Sequence, residues 1–209
     1  MFQENNNLLT ITEYFAKKFP ESKKEGNSVR FFHSAHDEYE SLKNGIGIRI
    51  KLNSTIIEMT GKDVLDFLHR VSTNTIKDLK LFEKRNTLFL NEKGRFISRS
   101  TLLNLENNFY LIGNSDYDKR LFSWVNKFII TEDIITHDVS ENFVVMELIG
   151  KQCNSFLTML VGEEIDSVDM NLARVSEIDG FRFYFFAEQN FNGSNIYKIL
   201  IDKEKCIDF

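Results

Sequence analysis

The segment STIIEMTGKDVLDFLHRV (54–71) returns 89 residues later as FVVMELIGKQCNSFLTML (143–160), with Gly61 over Gly150, Lys62 over Lys151, Phe67 over Phe156 and Leu68 over Leu157. The four identities fall at one strand-to-helix junction and on one helix face. A repeat of this kind restricts the fold more than composition does: the 209 residues hold two copies of one strand–helix unit, stacked in tandem.

Within the first copy, TIIEM (55–59) is a short β-rich run, and Val64, Phe67, Leu68 and Val71 have the spacing of one apolar helix face. Thr60 and Asp63 have capping-box spacing, and Met59 with Val64 suits a hydrophobic staple, so the helix is expected to begin there. Strands are predicted over about 86–91, 95–105 and 109–113, separated by the turns NEKG and ENN. Ser115 with Asp118 repeats the capping pattern ahead of a second helix with the apolar face Leu121, Trp124, Val125 and Phe128. DIITHDV (133–139) closes the unit as a strand. The second copy is expected to run through strands near 172–177 and 180–187 and the turn NFNG to a final helix from about 194. It then lacks a closing strand, which an N-terminal segment such as 28–33 is available to supply.

Ahead of the repeats, LLTITEYFAKKF (8–19) reads as a helix stopped by Pro20, the only proline, and ESKKEGNS as a solvated loop. The order implies an α+β fold of two tandem ferredoxin-like (split β-α-β) units with antiparallel sheets and helices on one face. The units are expected over 55–140 and 141–209, with residues 1–54 forming a helix and connecting segment packed on the core.

Hydrophobic residues make up 42% of the chain and 20 residues are Phe, the composition of a packed globular protein. A net charge of −5 argues against a general nucleic-acid binder and leaves room for a local basic patch. Cys153 and Cys206 are the only cysteines and form no C-x-x-C, which encodes neither a disulfide scaffold nor a zinc or iron–sulfur site and suits a reducing, cytoplasmic compartment. The chain has no apolar run of membrane-spanning length, and its start, MFQENNNLLT, is polar where a signal peptide is basic then apolar. The Gly-Lys pairs lack the upstream Gly and the following Ser/Thr of a phosphate loop and read as tight helix entries. His33, His36, His69 and His137 have no metal-ligand spacing.

T-G-K-D-x-x-x-F-L at 60–68, Thr73-Asn74, F-L-N-x-K-G-R at 89–95, a strand ending at Asn114 and L-x-G at 148–150 together resemble the folate-binding superfamily that contains the glycine cleavage T-protein (aminomethyltransferase) and the YgfZ-type proteins of iron–sulfur cluster maintenance. The resemblance spans roughly residues 45–200, and Arg95 after the glycine brings the chain closer to the YgfZ-type branch. It implies a tandem core around a central tetrahydrofolate pocket. The family's C-terminal β-barrel is expected to be absent here, leaving the second unit open to truncation.

The departures from the family bear on function. In the T-protein a carboxylate follows the turn; the matching position here is Ser98, beside Arg99, and a hydroxyl holds no negative charge against a developing positive one. A second family carboxylate precedes the glycine of the last turn, where this chain has Phe191 ahead of Asn192-Gly193; Glu188 is the nearest acid and substitutes only if the loop is shifted. Lys205-Cys206 lacks the glycine of the lysine–glycine–cysteine segment of the YgfZ type. No catalytic residue and no metal ligand is therefore assigned. The cofactor-binding candidates are Asn114, an amide for the pterin; Arg95 and Arg99, cations for the glutamate tail or a partner; and Ser98, by position. The resulting expectation is a folate-binding accessory protein of the YgfZ type, acting with iron–sulfur assembly proteins and without aminomethyl transfer. Two alternatives stay open: a degenerate or truncated relative serving as an interaction module, and a T-protein-like tetrahydrofolate-dependent aminomethyltransferase.

Overall fold

The computed structural model describes residues 6–25, 28–106, 108–115, 120–165, 168–189, 195–207 and 209. The chain opens with helix α1 (Asn6–Lys18), the antiparallel pair β1 (Lys23–Glu25) and β2 (Ser28–Phe31), helix α2 (Ala35–Asn44) and strand β3 (Gly47–Lys51). There follow β4 (Ser54–Thr60), α3 (Val64–Val71), β5 (Lys84–Leu90), β6 (Phe96–Leu105), β7 (Asn108–Ser115), α4 (Arg120–Phe128) and β8 (Ile135–Asp138). The second repeat comprises β9 (Phe143–Ile149), α5 (Cys153–Val161), β10 (Ala173–Ile178), β11 (Phe181–Gln189) and β12 (Asn195–Asp202), and a 3-10 turn at Lys203–Lys205 follows. Two five-stranded antiparallel sheets result, in the orders β5-β6-β7-β4-β8 and β10-β11-β12-β9-β3. This is the α+β architecture of tandem ferredoxin-like units that the repeat implies.

Three expectations are corrected. The segment from 195 is the strand β12 and not a final helix. It is rich in Ile and Tyr and lies in the middle of its sheet, buried on both faces, so its apolar run carries no period from which to tell strand from helix. The closing strand of the second sheet comes from β3, while residues 28–31 pair with β1 instead. At the start of α3, Asp63 makes no side-chain cap; its carboxylate accepts the backbone N–H of Asp133 at 2.8 Å, tying the helix entry to the loop before β8. The pairing of Ser115 with Asp118 and the turn NFNG lie outside the described residues.

The strand exchange is reciprocal. In sequence β3 leads into β4 and β8 leads into β9, yet β3 pairs with β9 and β8 pairs with β4. As expected, 133–139 closes the sheet of the first unit; with β3 and β8 counted as leading strands of the repeats that follow them in sequence, each repeat lends its leading strand to the sheet of the other. The repeated glycines mark where this happens. Gly61 (φ 122°) packs on the backbone of Asp133 and Ile134 just before β8, and Gly150 (φ 133°) packs on Leu42, Gly45 and Ile46 just before β3. Any Cβ at either position would overlap a backbone carbonyl of the incoming strand.

Three apolar clusters follow from strand alternation. Ile57, Met59, Leu102 and Leu111 face α3 and α4, where Val64, Phe67, Leu121 and Val125 meet them. Val144, Met146, Phe185 and Ile199 face α5, joined by Ile11 of α1. The opposite faces of the two sheets meet each other through Ile56, Leu103 and Tyr110 on one side and Val145, Phe186 and Leu200 on the other. Lys84 N donates to Asn171 O at 2.7 Å and Ala173 N to Phe82 O at 2.8 Å, lacing the sheets at their β5 and β10 edges.

Gly61→Ala and Gly150→Ala should each lower the melting temperature well beyond Gly94→Ala. Gly94 also has positive φ but faces open space, so it incurs only the backbone term of about 1–2 kcal/mol. Thermal denaturation of the three variants checks this; equal losses would mean that the strand entries are not tightly packed.

Candidate functional site

Alternation along β9 puts Val144, Met146 and Leu148 toward α5, and therefore Val145 and Glu147 toward the other sheet. Glu147 is only 3% exposed in an otherwise apolar strand, a position that a carboxylate holds only when paired. Its partners come from both neighbouring strands. Arg49 on β3 donates through Nε at 2.7 Å and also through Nη2, Lys51 Nζ lies 3.5 Å away, and Lys198 Nζ on β12 lies 3.9 Å away. Lys198 bridges onward to Glu188 on β11 at 2.8 Å, and Thr101 on β6 donates its hydroxyl to the same carboxylate at 2.7 Å. The chain of charges therefore runs across one sheet and reaches the other through the Thr101 hydroxyl.

These groups line a cleft of about 370 Å³ between the sheets, whose walls also include Ser54, Arg99, Ile112, Gly113 and Gln189. Arg49, Lys51, Arg99 and Lys198 face two carboxylates there, a local excess of positive charge in a chain whose net charge is −5. Burial pushes the Glu188 carboxyl up, but Lys198, Thr101 and Lys84 together outweigh it and hold the group below its ordinary value. On β5, outside the cleft lining, Lys84 is 3% exposed, and burial lowers its ammonium pKa, opposed by Glu188 and assisted by Lys198 and Arg99.

The residues singled out from sequence are only partly brought together. Arg99 lines the cleft. Ser98, one position before it, points to the opposite face of β6, buried, with its hydroxyl 3.1 Å from that of Ser100. Arg95 is exposed in the turn before β6, where its backbone N–H donates to the Asn91 side chain at 2.9 Å. Asn114 continues β7 past Gly113; its side chain lies outside the described residues.

Sequence reading missed Arg49, Lys51, Lys84, Glu147 and Lys198, and reached Glu188 only as a substitute. A signal was present: Glu147 in VVMELI and Lys198 in IYKILI are single charges inside apolar runs, and Glu147 matches Glu58 at the repeat spacing. On β3, Arg49 and Lys51 are two apart and so share a face.

Replacing Glu147 by Gln leaves Arg49 and Lys51 without their carboxylate, while Lys198 keeps Glu188. Loss of one partner of a buried pair costs 3–5 kcal/mol, and the solvation of Arg49 reduces this to about 2–3 kcal/mol, a fall of roughly 4–12 °C in melting temperature. Glu188 has a folded-state pKa below its ordinary 4.5, so its stabilisation is complete above that pH and is lost as pH falls through the folded value. Melting temperature plotted against pH should accordingly have a shallower acid limb in Glu188→Gln than in the wild type.

The GCVT N-terminal domain family model matches residues 4–204. A probable aminomethyltransferase of Pyrococcus horikoshii is 27% identical over 183 residues, covering 82% of this chain and 45% of that protein. One of Pyrococcus abyssi is 26% identical over 183 residues with the same coverage. The chain thus spans 45% of the length of these relatives. Among solved structures, the glycine cleavage system aminomethyltransferase T from Bartonella henselae superposes with a TM-score of 0.69 at 16% identity, over 82% of this chain and 46% of that one. A chain of the heterotetrameric sarcosine oxidase from Corynebacterium sp. U-96 gives 0.51 at 12%, over 81% and 84%. At these identities the structural likenesses speak for fold alone. The family match over nearly the whole chain, on a framework of two sheets around a charged cleft, makes this chain a member of the GCVT N-terminal domain family.

Proposed function

We propose that the cleft between the sheets binds a reduced folate and that the chain carries the folate-binding half of a T-protein-like aminomethyl transfer. The observation that carries this reading is Glu188, a carboxylate held ionised inside the cleft by Lys198 and Thr101. It fills the role for which Ser98 is unsuited, on a different strand. The relatives bear a transferase name, which moves the reading away from the iron–sulfur accessory role and toward the transferase alternative.

Tetrahydrofolate, when bound, supplies the nitrogen that takes up a one-carbon unit. The residues present suit such a ligand: polar walls of Ser54, Thr101 and Gln189 for a heterocycle, and cations for the carboxylates of its tail. Glu188 stabilises positive charge developing beside it, and Thr101 and Lys198 fix its orientation before any charge develops. The sheets leave the side chain of this carboxylate only 14% exposed, which reduces solvent screening of its field. One observation favours a second reading, binding without transfer: both cleft carboxylates already face cations.

Tetrahydrofolate at 100 times its Kd should stabilise the chain by about 2.7 kcal/mol, a rise of roughly 5–11 °C in melting temperature. Arg99→Ala should shrink this rise and Arg95→Ala should leave it unchanged. Glu188→Gln should keep most of the rise while reducing aminomethyl transfer by about 10²–10³-fold. A wild-type rise without measurable transfer selects the second reading, and no rise at millimolar ligand removes both.

A further inference from the structure

Thr101 stands between two groups that its single proton cannot both serve. Its hydroxyl oxygen lies 2.7 Å from Oε1 of Glu188 and 2.8 Å from the Oδ1 position of Asn86. A hydroxyl has one hydrogen, so with an oxygen on either side one of the two contacts sets lone pair against lone pair. A protonated Glu188 would resolve this by donating to Thr101. Lys198 excludes that: its Nζ lies 2.8 Å from Oε2 of the same carboxylate, and an ammonium at that distance favours the ionised form. The Thr101 proton therefore belongs to Glu188, and the donor in the other contact has to come from Asn86. A half-turn of the Asn86 amide supplies it, placing the NH2 group where the oxygen stands with no change of shape.

The fold holds Asn86 in place for this. On β5 it is the cross-strand partner of Thr101, so both side chains leave the sheet on the face that Thr101 turns to the cleft. Its side-chain amide has no other partner among the described residues. Its backbone is gripped from the outer edge of the sheet. Asn74 Nδ2 donates to Asn86 O at 2.8 Å, Thr73 N donates to Leu88 O at 3.1 Å, and Leu88 N donates to the Thr73 hydroxyl at 3.2 Å. The Thr73-Asn74 pair, prominent in the sequence and absent from the cleft lining, thus clamps the stretch of β5 that presents Asn86.

We propose that Asn86 is a positioning residue whose NH2 group donates to the Thr101 hydroxyl and so commits the Thr101 proton to Glu188. Donation then runs in one direction, from Asn86 to Thr101 to Glu188, and Lys198 completes the carboxylate from its other oxygen. Without Asn86 the hydroxyl turns freely about its C–O bond, and the carboxylate has to reorient that donor whenever charge develops beside it. The consequence for aminomethyl transfer rests on the reading of Glu188 given above; the direction of donation does not.

The test is the titration of the Glu188 carboxyl in the full chain, followed by carboxylate 13C NMR and assigned through its loss in Glu188→Gln. The charged groups around it, Lys198 on β12, Lys84 on β5, and Arg99 and Glu147 of the cleft lining, are the same in every variant compared. Thr101→Val should raise the midpoint by about one pH unit, the weight of a hydrogen bond to a charged group, and Thr101→Ser should keep it at the wild-type value. Asn86→Ala should raise it as well, by less, because the Thr101 proton is no longer held in one direction. A midpoint that falls in Asn86→Ala overturns the assignment, since the Asn86 oxygen had then been drawing the proton away, and an unchanged midpoint overturns it too. Should Asn86→Ala fail to fold, the Asn86 side-chain amide decides. In Thr101→Val its NH2 signal should move upfield and exchange faster with solvent than in the wild type, and an unmoved signal overturns the assignment. With tetrahydrofolate, Asn86→Ala should lower kcat for transfer severalfold while keeping the ligand-induced rise in melting temperature. The expected titrations without transfer in any variant, wild type included, remove the transferase reading and leave the direction of donation established.

Discussion

Neither sheet can be completed by its own repeat. The outer strand of each arrives from the other, β8 onto β4 and β3 onto β9, and the two strand entries are admitted by glycines at equivalent positions. Much else depends on this exchange. It buries the outward edges of β4 and β9, which would otherwise present unpaired backbone groups. It also brings Arg49 and Lys51 against Glu147, so the cations that make a buried carboxylate tolerable at the cleft are present only because β3 crosses over.

Equivalent rungs of the two sheets show how one framework takes on two chemistries. One rung runs Lys84, Leu103, Tyr110, Glu58 and His137; its counterpart runs Ala173, Phe186, Lys198, Glu147 and Arg49. Both have a glutamate on the fourth strand, β4 or β9, next to the exchanged outer strand. Glu58 is satisfied by neutral donors, Asn108 at 2.6 Å and the Tyr110 hydroxyl at 2.8 Å, and burial pushes that phenol up to about 12. Glu147 is satisfied by cations. The first arrangement is self-contained, whereas the second extends into a cleft.

Much of this architecture is legible in the residues because it rests on local pattern. The apolar face of α3, the turn at Gly94 and the strands on either side of it are set by period and by turn chemistry. β12 is not, since a strand buried on both faces has lost its alternation. The source of the closing strand is not legible either: five residues of β3 carry no mark of the partner about 98 positions away. The site suffers most from this. A resemblance read along the chain leads to Ser98, which points to the helices, while the neighbouring Arg99 faces the cleft. The carboxylate nearest the sought role, Glu188, lies on a strand of the other repeat.

The contact between Arg49 and Glu147 also has a meaning in time. It closes a loop of 98 residues, and pairings of that span form slowly because chain entropy must be lost before any contact repays it. The sheet of the first repeat forms from neighbouring segments, β5 through β7, without waiting for the N-terminus. The cleft therefore matures after its scaffold. Damage to the short stretch around β3 would remove Arg49 and Lys51 from the cleft while leaving the pairing of β5 through β7 in place.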